Sequence, residues 1–291
     1  MTPKTWLLLD ANFLCWRAFH VFNGLKSGAV GTGVVYGFLR DVQGLMEAQA
    51  TRHVAFCFDL GPLKRKELYP GYKAGRDKKF EEATDEEKEA VADMRRQRDL
   101  LRTRYLPEVG FRNVFAFEGY EADDVIGALV PATREKDEVV VVSADKDLWQ
   151  LVDRQVTCWN PTTKKATNLN NFKAAWGIPP QKWAAVKAVA GCDTDNVVGL
   201  KGIGEKLAAK YFSGELVGNR ANRIVEFMGT RQFRDNLKLV ELPFAGCPEP
   251  DLVDDKVDQS AWRKLTTSLG MKSISGRPPG ARGNGFALGV C

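Results

Sequence analysis

The stretch DEVVVVSADKD (137–147) runs four consecutive valines into Ser143, Asp145 and Asp147. An unbroken β-branched run suits a parallel strand covered on both faces; a half-exposed strand would alternate instead. TWLLLD (5–10) and HVAFCFD (53–59) read the same way. Helical patterns lie between the three, at roughly 32–50, 81–105 and 121–136. The alternation predicts an α/β domain with a mostly parallel sheet flanked by helices. Each apolar run ends in aspartate: Asp10, Asp59, then Asp145 with Asp147. In open parallel sheets ligands bind beyond the carboxyl ends of the strands. One such aspartate is an ordinary helix cap or turn residue, but three strands would converge theirs on one edge.

More carboxylates follow that pattern. FEGYEADDVIGALV (117–130) sets Glu121, Asp123 and Asp124 at the start of a helix, with Glu121 and Asp124 on one face. The helix dipole favours acids there, yet three in four residues exceed what capping requires. AVAGCDTDNVVGLKGIGEK (188–206) adds Asp193 and Asp195. So many negative charges stay ionised together only with cations among them. Oxygen donors without histidine select hard ions, Mg²⁺ with Mn²⁺ as a substitute. Two such ions about 3.5–4 Å apart would activate a water and stabilise the leaving oxygen in phosphodiester hydrolysis. A structural calcium cluster is the competing explanation, and the dispersal of these residues over several strands argues against it.

Basic and aromatic residues complement the acids. LKRKELYPGYKAGRDKK (63–79) carries Lys73 and Arg76, placed to neutralise a scissile phosphate, with Tyr69 and Tyr72 able to stack on an unpaired base. VGLKGIGEKLAAKYF (198–212) fits a helix–hairpin–helix. Its Gly202–Ile203–Gly204 turn lets a backbone approach a phosphate, and Lys206 and Lys210 share one face of the following helix. Such contacts position a duplex without reading its bases.

Bulk properties agree with this picture. The chain has 291 residues, 44% hydrophobic and 27% charged, with a net charge of +5. These values suit a globular protein and permit a nucleic-acid partner. Six scattered cysteines without a C-x-x-C pair point to a reducing, cytoplasmic setting with neither zinc nor disulfides. Two histidines make histidine-based catalysis a poor candidate. No apolar run is long enough to span a membrane, and the N-terminal run is too short for a signal peptide. The expected organisation is an α/β core over 1–170, a helical region over 171–272 and a disordered tail over 273–291.

LLLDANFLCWRAFH, FDLGPLKRKELYPGYKAGRD, EGYEADDVIGALV, VSADKDLWQLV and TDNVVGLKGIGEKLAAKYF occur in an order that resembles the 5′-nucleases. That family includes flap endonucleases, phage 5′→3′ exonucleases and the 5′-nuclease domain of bacterial DNA polymerase I. The resemblance covers roughly residues 5–245, and the chain reads as a stand-alone nuclease of the phage type. It implies a PIN-like core, a helical arch at about 63–105 and a duplex-holding helix–hairpin–helix at about 188–212. It further implies a Mg²⁺-dependent structure-specific 5′→3′ exonuclease and flap endonuclease, a monomer in a phage-infected or bacterial cytoplasm. Asp10, Asp59, Glu121, Asp123 and Asp124 match the first-metal motifs, and Asp145, Asp147 and Asp195 those of the second. Lys73 and Arg76 match the pair that steers the scissile phosphate. Arg17 stands where relatives often carry a basic residue near the 5′ strand, and the hairpin turn where relatives also bind K⁺. Cleavage of RNA in RNA–DNA hybrids, or DNA binding without catalysis, are the alternatives.

One motif departs from the pattern. Relatives read Gly-Asp-x-x-Asp-Asn, whereas here Gly191 is followed by Cys192, Asp193, Thr194, Asp195 and Asn196. Either Asp193 takes over the missing ligand, or the second metal site has one ligand fewer. A thiolate is a poor Mg²⁺ ligand, so Cys192 is not assigned to the metal and weaker binding of the second ion is expected.

Overall fold

The computed structural model describes residues 3–276, 278 and 279. Its main sheet has six strands, in the order Val114–Phe115, His53–Cys57, Thr5–Asp10, Glu138–Val142, Val156–Asn160 and Lys165–Thr167. The first five are parallel, and Lys165–Thr167 turns back antiparallel at the edge. The three expected strands are therefore the three central ones. Their side chains alternate between two dry layers, which explains why they read as continuous apolar runs. Leu7, Leu9, Val54, Phe56, Val140 and Val142 face one core, while Leu8, Ala55, Cys57, Val139 and Val141 face the other.

Helices Ala11–Phe22 and Gly33–Ala48 cover the first face with Leu14, Cys15, Phe38, Leu39 and Val42. Helix Ala122–Arg134 covers the second with Val125, Ile126 and Leu129. The chain leaves the central strand Thr5–Asp10 for one neighbour and returns later to the other. That strand is thus the switch point at which an open α/β sheet forms its crevice.

The expected arch region is built of helices Leu63–Leu68, Ala74–Glu81 and Asp85–Leu100, the last continued by a π-helical turn, Leu101–Tyr105. Asp85–Leu100 is capped by Thr84, which exchanges hydrogen bonds with Glu87. It is also pinned to the core, because buried Gln97 accepts from the free N–H groups of Val34 and Val35 at 3.0 and 3.2 Å. A separate helical layer follows the sheet. Phe172, Trp183, Val186, Val189, Ile203, Ile224, Phe227 and Phe233 form its core.

The helical region does not extend to residue 272 as expected. The segment after residue 250 returns to the sheet: Val253 N–H donates to Asn113 Oδ1 at 2.9 Å, and Lys256 N–H to the Gly110 carbonyl at 2.8 Å. Helix Gln259–Ser268 then drives Trp262 and Leu265 into the first core. The physical reason is an apolar stripe with no other face to cover. Residues 273–275, assigned to the tail by sequence, belong to helix Lys272–Ser275 and bury Ile274; the end of that tail lies outside the described residues. Among the described residues no helix is long and apolar enough to cross a membrane.

Trp262 is fully buried and its indole N–H donates to the Ile274 carbonyl at 2.8 Å. Trp262→Ala should therefore cost about 3–5 kcal/mol in urea-unfolding experiments. A loss below about 1 kcal/mol, the level of an exposed position, would contradict this placement.

Candidate active site

The carboxyl edge of the sheet opens into a cavity of about 420 Å³. Asp10, Asp59, Glu121, Asp123, Asp145, Asp147 and Asp195 all line it, as do Lys73 and Arg76. Each element delivers its acid for a local reason. Asp10 ends the central strand and caps the next helix, its Oδ1 accepting from Phe13 N–H at 2.9 Å and its Oδ2 from Ser143 Oγ at 2.8 Å. Asp59 accepts from Asn12 Nδ2 at 2.7 Å and from Ala122 N–H at 2.6 Å. It thereby ties the end of one strand to the start of the acidic helix. Asp145 Oδ1 accepts from Asp147 N–H at 2.8 Å, closing the turn after the Glu138–Val142 strand.

Burial and mutual repulsion act on these acids together. Burial, then Asp59 and Asp145, push the Asp10 carboxyl up to about 7. Asp123 is pushed well above its ordinary value by burial and then by Asp145 and Asp10. Asp59 is raised by burial and Glu121, and Asp147 is raised to about 6 by burial and Asp145.

Three cations answer that charge. Lys73 adopts a left-handed backbone, φ 58°, a conformation unusual for a side-chain-bearing residue and commonest at functional positions. Its N–H donates to the Asp195 carbonyl at 3.0 Å, and its ammonium is hydrogen-bonded to Glu121 Oε1. Burial alone would depress the Lys73 ammonium, but Glu121 and Asp195 outweigh it and raise it. Arg76 reaches Asp195 Oδ1 at 2.8 Å. The third cation, Lys187, was not anticipated: it sits buried on the apolar helix Trp183–Ala190, where its surroundings in sequence suggest only core. Its ammonium lies 3.0 Å from Asp147 Oδ1 and 3.3 Å from Glu205 Oε1.

The structure places five of the expected residues differently. Asp124 does not face the cavity. It is fully buried, and both its oxygens bind the Arg65 guanidinium, at 2.5 and 2.7 Å. Adjacent helical residues point about 100° apart, so Asp123 and Asp124 part ways. Asp193 is exposed and stays off the cavity wall, while Asp195 turns inward from the same turn. That turn hangs on Gly191, φ 77°, where an added Cβ would lie 2.4 Å from Gly199 N. Asp193 thus does not join the other acids on the cavity wall. Cys192 does line the cavity, with its thiol toward Asp195 Oδ2 at 3.5 Å, and burial keeps that thiol protonated by raising its pKa.

Tyr72 is buried, with its hydroxyl donating to Glu121 Oε2 at 3.0 Å, so its ring has no free face for a base. Phe13 and Trp16 are the aromatics that reach the cavity, and Trp16 is 37% exposed. Only its place one turn after Asn12 on a helix otherwise read as core hints at this. Ile203 is a core peg rather than a backbone donor, since its N–H bonds the Leu200 carbonyl at 3.0 Å. Around it Gly202 (φ 81°) and Gly204 border open space, and Lys206 and Lys210 are exposed on helix Glu205–Phe212. Arg17 does not line the cavity and is paired with Asp41.

The model of the 5′-3′ exonuclease N-terminal resolvase-like domain matches residues 5–177. The chain belongs to this family. DNA polymerase I of Mycobacterium leprae (strain TN) is 34% identical over 220 residues, which is 72% of this chain and 23% of that protein. The exonuclease-family chain thus spans about a quarter of the length of the curated relatives it matches. In fold it is similar to T5 5′-exonuclease with zinc bound, at 23% identity and TM-score 0.71 over 82% of this chain and 90% of that one. It is also similar to bacteriophage T5 flap endonuclease in a pseudo-enzyme-product complex with DNA and metal ions. That match has 21% identity and TM-score 0.68, covering 94% of this chain and all of the other.

The raised carboxyls have a consequence for stability. A folded-state pKa above the unfolded one stabilises the fold fully below the unfolded value and is lost as pH rises through the folded value. For Asp10 the window runs from 3.8 to about 7, and for Asp147 from 3.8 to about 6. In chelator, stability should fall between pH 4 and 8, by up to about 4 kcal/mol from Asp10 alone. Asp10→Asn keeps the helix cap and should exceed the parent protein in urea-unfolding stability at pH 8. A profile that is flat or rises over this range would contradict the assignment.

Proposed function

We propose that this chain hydrolyses DNA phosphodiester bonds near 5′ ends and single-/double-strand junctions, as a structure-specific 5′→3′ exonuclease and flap endonuclease. The observation that carries the proposal is the single cavity in which strand-end carboxylates face Lys73 and Arg76. Family membership and the DNA- and metal-bound relatives support it.

The donor set fits divalent ions. Asp10, Asp59 and Asp123 would hold one, supported by Glu121, and Asp145, Asp147 and Asp195 a second. Their raised carboxyl pKa values mark a floor short of positive charge. The oxygen-only chemistry favours Mg²⁺ or Mn²⁺. When bound, such ions supply a nucleophilic water at neutral pH and stabilise charge on the departing oxygen. With Cys192 protonated and Asp193 outside, the second position has fewer anionic ligands than the family pattern.

The chain's own groups do the rest. Lys73 and Arg76 rest on Glu121 and Asp195, poised to exchange those carboxylates for the non-bridging oxygens of a phosphate. Trp16 offers a face to an unpaired base beside the cavity. The exposed start of helix Glu205–Phe212, with Lys206 and Lys210, grips the duplex backbone. Glu205, in that first turn, shares Lys187 with Asp147. The grip and the catalytic floor are therefore joined, and cleavage falls at a set distance from the held duplex.

A 5′-flap duplex labelled at each end tests the proposal, assayed with Mg²⁺ or with EDTA, beside matched RNA-containing flaps and Asp145→Asn. Products released from the 5′ side only with Mg²⁺, and absent in the variant, are expected. Binding without any cleavage would overturn the catalytic assignment. Lys73→Ala should slow single-turnover cleavage by about 10²-fold or more with little change in affinity; an effect on affinity alone would contradict its role. Lys206→Ala should weaken duplex binding and lower the slope of log K against log[salt] by about one. An unchanged slope would remove the hairpin from the DNA interface.

A further inference from the structure

Outside the cavity, a fully satisfied polar cluster surrounds Asp124. Its Oδ1 accepts from Arg65 Nη2 at 2.7 Å and from Phe244 N–H at 2.9 Å. Its Oδ2 accepts from Arg65 Nη1 at 2.5 Å and from Glu121 N–H at 3.0 Å. All of its acceptor capacity thus serves the protein, and none points at the floor where Asp123 lies. Arg65 is equally committed: its Nε donates to the Leu239 carbonyl at 2.8 Å, and its Nη1 also reaches Glu121 Oε2 at 3.3 Å. The guanidinium lies over Phe244, 4.9 Å from the ring centre.

These bonds join three parts of the molecule. Arg65 stands on the short helix that begins the arch region, and Asp124 on the helix that presents Glu121 and Asp123. Leu239 lies in the last turn of helix Arg231–Val240, which packs into the helical layer beside Trp183–Ala190. Arg65 and Tyr72 both occupy Glu121 Oε2, which turns Oε1 toward Lys73.

We propose that Arg65 and Asp124 act as a positioning pair: they fix the orientation of Glu121, and through it Lys73, and tie both to the end of the helical layer that holds the duplex. The proposal rests on the nuclease function above and replaces a ligand role for Asp124. A planar fork with several directed donors is needed at this junction, and a lysine supplies only a point charge.

The test uses the full chain and four variants: Arg65→Lys, Asp124→Asn, the two combined, and Asp123→Asn. Each is measured for single-turnover cleavage of a 5′-flap in Mg²⁺, for flap binding in EDTA, for Mn²⁺ binding without DNA by electron paramagnetic resonance, and for folded fraction by circular dichroism. Arg65→Lys retains a charge for Asp124 and serves as the milder variant should Asp124→Asn fold poorly. The expected result is a rate per folded molecule lowered about 10–100-fold in Arg65→Lys and in Asp124→Asn, as for a displaced catalytic group. Flap affinity and Mn²⁺ affinity should stay within about threefold of the parent in both, whereas Asp123→Asn loses Mn²⁺. The combined variant should be little slower than either single one, because two residues acting as one unit are not additive.

Loss of Mn²⁺ in Asp124→Asn to the extent seen in Asp123→Asn would restore the ligand role and overturn the proposal. Rates that match the parent per folded molecule would reduce the pair to a structural contact. A parent chain that cleaves no flap would instead overturn the nuclease function, and this assignment with it.

Discussion

Negative charge concentrated at one edge of a parallel sheet is the constraint to which the rest of this molecule answers. Strand ends and the start of one helix bring Asp10, Asp59, Asp123 and Asp145 to the same crevice, and burial then penalises ionisation of Asp10, Asp59 and Asp123. The compensating cations come from elsewhere. Lys73 and Arg76 arrive from the arch region, and Lys187 from the helical layer. Charge balance at the floor therefore holds together three parts of the chain that hydrophobic packing would bury in separate cores.

Two kinds of acid coexist within a few residues. Asp124 is wholly enclosed and has four hydrogen-bond donors, among them a bidentate guanidinium. Asp123, on the neighbouring position, has a carboxyl raised by burial and by four other acids. A buried charge with complete partners rigidifies its surroundings, while one left among like charges stores a demand for a cation. The division separates the scaffold of the site from its reactive surface. Removing Arg65 and removing Asp123 are for that reason different experiments, although both touch one helix turn.

Much of the site was legible because its chemistry needs a residue type at a strand end. Asp10, Asp59, Asp145 and Asp147 follow apolar runs that converge on one sheet edge, and the structure lines the cavity with all four. The short strands Val114–Phe115 and Lys165–Thr167 were not foreseen, since two or three residues carry too little periodicity. The return of Trp262 to the first core was also hidden: a helical stripe shows that a face is buried, not which neighbour buries it. Lys187 escaped notice because a lysine among alanines and valines looks the same whether its ammonium finds water or a carboxylate.

The sequence by itself determined the class of fold, the gathering of carboxylates at one sheet edge and the membership in the exonuclease family. Local pattern suffices for these, because strand period, helix start and acidic residues are properties of short segments. Only the tertiary structure decided which acids are usable. Asp124 went to Arg65, Asp193 to solvent, and Tyr72 to Glu121, while Phe13 and Trp16 reached the cavity. Those outcomes depend on the rotation of a helix about its axis and on partners 48 to 59 residues away in the chain, and no short segment encodes either.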